Sequence, residues 1–375
     1  MNVLLLTGRF GMGHYSAAMT LAQEVKRHDP TAHVEVQDIF EAVTPNHYQA
    51  FYGAYTWLVN KASIFYNTYY KMTERSHKNV KPPMMYMLFG VLVRLLERVK
   101  PDVILSTLPL CSQLVSQYKK RFYAPFELVT CITDISAHNE WINDNTDYYL
   151  VGSDSVRRQL LARGIRAGCI FVSGIPVKAQ FKEAHPAYAA SYKHLLIMGG
   201  GLGLIPRDKQ FYERLNALPD VRTTLIVGSN QAAYDELHGK YEHIEVIGYT
   251  DRVWEYMQQA DLLLTKPGGI TMFETIYSEL PMLIRCPFLE QEVKNARFIE
   301  QHQIGRVLWD KNADVVQEID RFLEDHEALA SIRHKMAAFQ SGLDDNALAA
   351  ILNRVEHAAV LHVLPSAPVH KGVVA

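Results

Sequence analysis

Cysteine is scarce. The chain has four in 375 residues (Cys111, Cys131, Cys169 and Cys286), and no two are spaced as a metal site or a redox pair. That excludes a disulfide scaffold and a cysteine-ligated zinc module, and it predicts free thiols in a reducing compartment. An excess of either charge is also missing. Lys and Arg number 38 against 40 Asp and Glu, so global electrostatics give no reason to expect a nucleic-acid partner. No apolar run reaches the roughly 18–20 residues of a membrane span. The nearest, "PPMMYMLFGVLV" (Pro82–Val93), stops at Arg94. The opening "MNVLLL" has no basic residues ahead of it and ends at Thr7-Gly8, so no secretory leader is predicted. There is no Asp-x-Asp, no short-period repeat and no low-complexity tract.

What is present is alternation. Short apolar runs, "VLLLT" (Val3–Thr7), "VEVQDI" (Val34–Ile39), "DVILST" (Asp102–Thr107), "FELVTCIT" (Phe126–Thr133), "YYLVGS" (Tyr148–Ser153) and "CIFVSG" (Cys169–Gly174), are separated by helical patterns. The pattern restarts at "HLLIMGGG" (His194–Gly201) and continues through "RTTLIVGS", "IEVIGY", "DLLLTKPGG" and "PMLIRC". This predicts an α/β protein of two Rossmann-like domains with parallel sheets, facing each other across a cleft. The expected division is residues 1–175, then 190–355, then a tail over 356–375.

Glycine-rich loops follow the first strand of each half. "GRFGMGHYSAA" (Gly8–Ala18) reads G-x-x-G-x-G-H. It is out of register with a dinucleotide fingerprint, and no acidic residue clearly ends the second strand, Asp38 being the nearest. Gly11 and Gly13 allow a ligand to approach the backbone, and His14 begins the following helix. "TKPGGITMFETIYSELP" (Thr265–Pro281) reads strand, Pro-Gly-Gly, helix. The N–H groups of Gly268, Gly269, Ile270 and Thr271 are placed to hold a diphosphate at a helix start. Glu274, about one turn further on, suits two ribose hydroxyls. "MGGGLG" offers Gly199, Gly200 and Gly201 to the same group. "RCPFLEQEVKNARFI" concentrates Glu290, Gln291, Glu292 and Asn295, an array suited to sugar hydroxyls.

In this order, "GMGHYSAA", "TDISAHNEWINDNTDYYLVGSD", "GIPV", "LIMGGGLG", "KPGGITMFE" and "PFLEQEVKNA" resemble the glycosyltransferase family of monogalactosyldiacylglycerol synthases and diacylglycerol glucosyltransferases. A more distant likeness is to the lipid II-forming N-acetylglucosaminyltransferase. The resemblance runs from about Val3 to Ala350. It implies a GT-B fold whose C-terminal helix packs back towards the N-terminal domain. It also implies an inverting transfer of glucose or galactose from UDP-glucose or UDP-galactose to diacylglycerol. By motif, Gly268, Gly269 and Thr271 would face the diphosphate, Glu274 the ribose, and Gln291, Glu292 and Asn295 the donor sugar. Tyr249 and Thr250 of "GYTDRV" would wall the uracil. His14, Asp134 and His138 fall on the catalytic side, with His14 or Asp134 as base, and Trp141 lies beside them. No cofactor or metal is implied beyond the donor.

Between Lys61 and Arg121, eleven basic residues stand against three acidic ones, amid dense Tyr, Phe and Trp. Trp57, Tyr69, Lys71, Arg75, Lys78 and Lys81 are the expected contacts with anionic lipid, on a helix lying in the bilayer interface. The expected location is peripheral, on the cytoplasmic face of a membrane. Two other readings use the same residues: transfer to another lipid or polyprenyl-linked acceptor, and a non-catalytic UDP-sugar sensor.

Overall fold

The computed structural model describes residues 1–10, 12–48, 52–53, 85–183, 191–200, 203–206, 208–287 and 289–363. Gly11, Gly201, Trp57, Tyr69, Lys71, Arg75, Lys78 and Lys81 lie outside them.

Two six-stranded parallel sheets carry the fold. The first has the order β2-β1-β3-β4-β5-β6, with β1 Asn2–Thr7, β2 His33–Asp38, β3 Val103–Ser106, β4 Glu127–Cys131, β5 Tyr148–Val151 and β6 Ile170–Val172. Its interior strand β1 is a continuous apolar run because both faces are covered. Leu4 and Leu6 face the helices Met85–Val99 and Pro109–Phe122, while Val3 and Leu5 face the helix Gly13–His28. That second face is completed from the far end of the chain by Ala347, Leu348, Ile351, Leu352 and Val355. The C-terminal helix therefore packs back on the first domain. It runs to Val363, past residue 356 where a tail was expected to begin.

The second sheet has the order β12-β11-β10-β7-β8-β9, with β7 Lys193–Met198, β8 Val221–Ile226, β9 Ile244–Ile247, β10 Leu262–Thr265, β11 Met282–Ile284 and β12 Gly305–Val307. Its strand order reverses between β7 and β10, the place where doubly wound sheets open a ligand crevice. The "MGGG" and "KPGG" loops emerge from those two strands.

The helix Met85–Val99 holds the described part of "PPMMYMLFGVLV". Met85, Leu88, Val91, Leu92, Leu95, Leu96 and Val99 are buried. Their 3–4 residue spacing makes one stripe, and the sheet covers it. Among the described residues, no helix is long and apolar enough to cross a membrane.

Candidate active site

Three neighbouring strand ends of the first sheet build one side of the cleft. After β1 the chain turns through Met12 at φ 65° into a helix with no side-chain cap, which places His14 in its first turn. After β3, the Thr107 hydroxyl donates to the His14 carbonyl at 2.9 Å. After β4, the Thr133 hydroxyl lies 2.8 Å from His14 Nδ1. His14 is half-buried. Desolvation pushes its pKa below the usual imidazole value, partly opposed by the negative charge of Asp134. The ring is therefore neutral at neutral pH.

Asp134 is buried at 8% exposure. One carboxylate oxygen accepts the Trp141 indole N–H at 2.8 Å, and the other accepts the side-chain amide of Gln291, from the second domain. Trp141 is 1% exposed and its ring centre lies 6.1 Å from that of His14. This tryptophan, grouped by motif with the acceptor side, is a donor to Asp134. His138 is 2% exposed and caps the short 3₁₀ turn Asn139–Trp141, its Nδ1 accepting the Glu140 N–H at 3.3 Å. It thus supports the turn that delivers Trp141.

The opposite side comes from the second sheet. The helix Gly269–Tyr277 has no side-chain cap and no acidic residue in its first turn, so its N–H groups face the cleft with the positive end of the helix. The facing loop requires glycine. A Cβ on Gly199 would lie 2.3 Å from the Leu204 nitrogen, and Gly200 has φ +70°. Glu274 is pushed up to about 7 by burial, with the Lys178 cation opposing that shift. Lys178 also donates to the Asp251 carbonyl at 2.9 Å, which ties the "GYTDRV" loop to the Glu274 pocket. Tyr249 on that loop is 73% exposed, and the Thr250 hydroxyl accepts the Arg252 N–H at 3.1 Å.

The sugar-side array is partly committed to the protein itself. Asn295, 2% exposed, donates to the Pro267 carbonyl at 2.8 Å and so holds the "KPGG" loop. Glu292 lies 3.6 Å from the Lys266 ammonium. A Cβ on Gly200 would lie 3.2 Å from Lys266 Cε, so this lysine stands between the two glycine loops.

The two sides touch. A Cβ on Gly13 would meet Ile270 at 3.4 Å, and one on Gly269 would lie 2.6 Å from the Thr133 carbonyl oxygen. His14, Asp134, Gln291 and the "KPGG" loop are thus brought together. Asp38 does end β2, but its carboxylate accepts the Phe40 and Glu41 N–H groups and the Tyr52 hydroxyl, a cap rather than a ribose site. Thr107, Thr133, Lys178 and Lys266 were not singled out from sequence. Only Lys266, directly before Pro-Gly-Gly, carried a local signal.

Two facing parallel sheets, with an uncapped glycine loop at the switch point of the second, define the GT-B class of glycosyltransferases. MurG of Acinetobacter baumannii superposes with a TM-score of 0.62 at 12% identity, covering 95% of this chain and 100% of that one. The spinosyn rhamnosyltransferase SpnG complexed with thymidine diphosphate gives 0.63 at 14% identity, covering 94% and 100%. Both share the fold. Residues 14–177 match the monogalactosyldiacylglycerol (MGDG) synthase family, and residues 195–346 match the glycosyltransferase family 28 C-terminal domain. The chain thus carries an MGDG synthase family domain followed by a glycosyltransferase family 28 C-terminal domain, in the order its motifs implied. It is 27% identical over 341 residues to the processive diacylglycerol beta-glucosyltransferase of Bacillus subtilis (strain 168), covering 88% of each chain.

Proposed function

We propose that the protein is an inverting glycosyltransferase that moves a hexosyl group from a UDP-sugar to the free hydroxyl of diacylglycerol, forming a membrane glycolipid. Glucose is the favoured sugar, because the Bacillus subtilis relative named above is a diacylglycerol glucosyltransferase. The observation that carries the reading is convergence: Asp134 accepts the Gln291 amide of the other domain, and Gly13 and Thr133, the chain neighbours of His14 and Asp134, lie against Ile270 and Gly269 of the "KPGG" loop.

In this reaction the acceptor oxygen forms a bond to the anomeric carbon as the bond to the β-phosphate oxygen of UDP breaks. The acceptor proton goes to a base on the first domain. His14 suits that role, since burial keeps it neutral. Asp134 suits it less, since both of its oxygens already accept hydrogen bonds, from Trp141 and from Gln291. Charge on departing UDP is met by the N–H groups at Gly269–Thr271 and by Lys266, an arrangement that calls on no cofactor. Gln291 is placed to meet the donor sugar, Glu274 the ribose, and the Tyr249 loop the base.

Membrane contact is supported by the first domain's outer end. Tyr86, Met87, Phe122 and Tyr123 are 87%, 51%, 51% and 91% exposed, beside exposed Lys120 and Arg121. Aromatic tips with flanking cations suit an anionic bilayer surface, and with no spanning helix among the described residues the protein would sit peripherally on the cytoplasmic leaflet. The test is incubation of the protein with UDP-glucose, and separately UDP-galactose, plus dioleoylglycerol in phosphatidylglycerol vesicles. The expected product is β-glucosyl diacylglycerol. No glycolipid from either donor would overturn the reading.

A further inference from the structure

We infer that Thr133 is the positioning residue for His14: its buried hydroxyl holds Nδ1 and leaves Nε2 as the nitrogen that meets the acceptor hydroxyl. The inference rests on the reading of His14 as the base, and it deepens that reading.

A neutral imidazole carries one proton. To accept another at Nε2 it must hold its own on Nδ1, and that tautomer is favoured when Nδ1–H donates to a fixed acceptor. Thr133 Oγ1 lies 2.8 Å from Nδ1, and in this tautomer it is the acceptor. Thr133 is 5% exposed, directly after β4 and next to Asp134. The main chain of His14 is fixed separately, by the Thr107 hydroxyl on its carbonyl. Backbone and ring are therefore held by hydroxyls from two neighbouring strand ends, and rotation about χ2 is the freedom Thr133 removes. A hydroxyl orients the ring without placing a formal charge on Nδ1. The charge sits one residue on, at Asp134, where Trp141 and Gln291 share it.

The same residue touches the donor domain. Its carbonyl oxygen faces Gly269 so closely that a Cβ there would lie at 2.6 Å. Thr133 thus seats the phosphate-side loop with its backbone and the base with its side chain. During transfer, His14 Nε2 takes the proton of the acceptor hydroxyl as the new glycosidic bond forms and the UDP bond breaks. The imidazolium keeps its Nδ1–H on Thr133, and UDP leaves as the anion.

The test compares T133V, which keeps the shape and loses the hydroxyl, with T133S, which keeps the hydroxyl. The assay uses UDP-glucose and dioleoylglycerol in phosphatidylglycerol vesicles, with thermal midpoints recorded in parallel. T133V should lower kcat by roughly tenfold or more, with KM for UDP-glucose within about twofold, and T133S should recover most of the rate. H14A should cost more than T133V, and H14A/T133V should be no slower than H14A, because Thr133 acts through the ring. Additive losses in the double variant, or a T133V enzyme with unchanged kcat, would overturn the role of Thr133 while leaving His14 in place. Full activity in H14A would remove the base reading itself. A T133S enzyme as slow as T133V, both with lowered thermal midpoints, would make Thr133 a packing residue only.

Discussion

The two glycine loops start from the same local plan and end in different chemistry. Each follows a buried interior strand, and each opens a helix without a side-chain cap. Asp38, Ser153, Asp208, Asn230, Asp314 and Asp325 cap other helices, while Pro109–Phe122, Val253–Gln259 and Glu290–Gln301 also start without a side-chain cap. In the first loop a side chain, His14, fills the first turn. It is desolvated, hydrogen-bonded and neutral. In the second loop the first turn is bare backbone with Lys266 at its mouth, and the titratable group, Glu274, is set deeper. The comparison teaches that an uncapped helix start is only an opening. The residue placed in the first turn decides what that opening presents, an imidazole in one case and backbone N–H groups in the other.

The sharpest way to break this comparison is steric. Gly269→Ala drives a methyl into the Thr133 carbonyl, because the position has 2.6 Å available. The two sides of the cleft must separate, and kcat/KM should fall roughly a hundredfold, the cost of about 1 Å of misplacement. A Gly269→Ala enzyme with wild-type rates would show that this contact is absent during catalysis.

Next in size is Lys266→Met. Loss of the cation at the phosphate loop should weaken UDP binding roughly tenfold. Uridine binding should barely change, a contrast titration calorimetry reads directly. Equal losses for both ligands would place Lys266 away from the diphosphate.

Glu274→Gln separates binding from stability. The folded carboxyl titrates at about 7, above an exposed glutamate, so the native state holds a proton that the unfolded chain has lost. Stability therefore falls as pH rises from about 4.5 to 7 and stays lowered above that. The glutamine variant avoids this loss. It should be more stable than the parent by about 2 kcal/mol at pH 8, with the gap closing towards pH 4.5, while UDP binds several-fold more weakly. Denaturant melts at both pH values check the first half. A stability gap independent of pH would contradict it.

The smallest effect is expected at the matching glycine of the first loop. Gly13→Ala meets Ile270 at 3.4 Å, an ordinary contact, and should cost less than about threefold in kcat/KM. Losses equal to those of Gly269→Ala would erase the steric difference between the loops.

Much of the fold was legible because parallel strands buried on both faces read as unbroken apolar runs, and "VLLLT" and "DLLLT" are such runs. The "KPGG" loop was legible for a local reason as well, since strand, Pro-Gly-Gly and helix are adjacent in the chain. Legibility failed where a side chain's partner is distant. Asn295 reads as a sugar ligand from its place in "QEVKN", and nothing local announces that its amide also holds Pro267, 28 residues away. His138 reads as a catalytic candidate from its motif, and its capping of the Asn139–Trp141 turn shows only in the fold. Thr133 carried no signal, because its meaning lies in a histidine 119 residues away.

By itself, the sequence determined the periodic pattern of two parallel-sheet halves, the glycines where backbone must approach backbone, and the ordered motifs of a lipid glycosyltransferase. Those are properties of neighbours in the chain. Only the tertiary structure decided that Asp134 is shared by Trp141 and Gln291, that burial pushes Glu274 up to about 7, and that Thr133 joins His14 to the "KPGG" loop. Desolvation and hydrogen-bond geometry depend on what packs around a group, and that is settled when the two sheets close on each other.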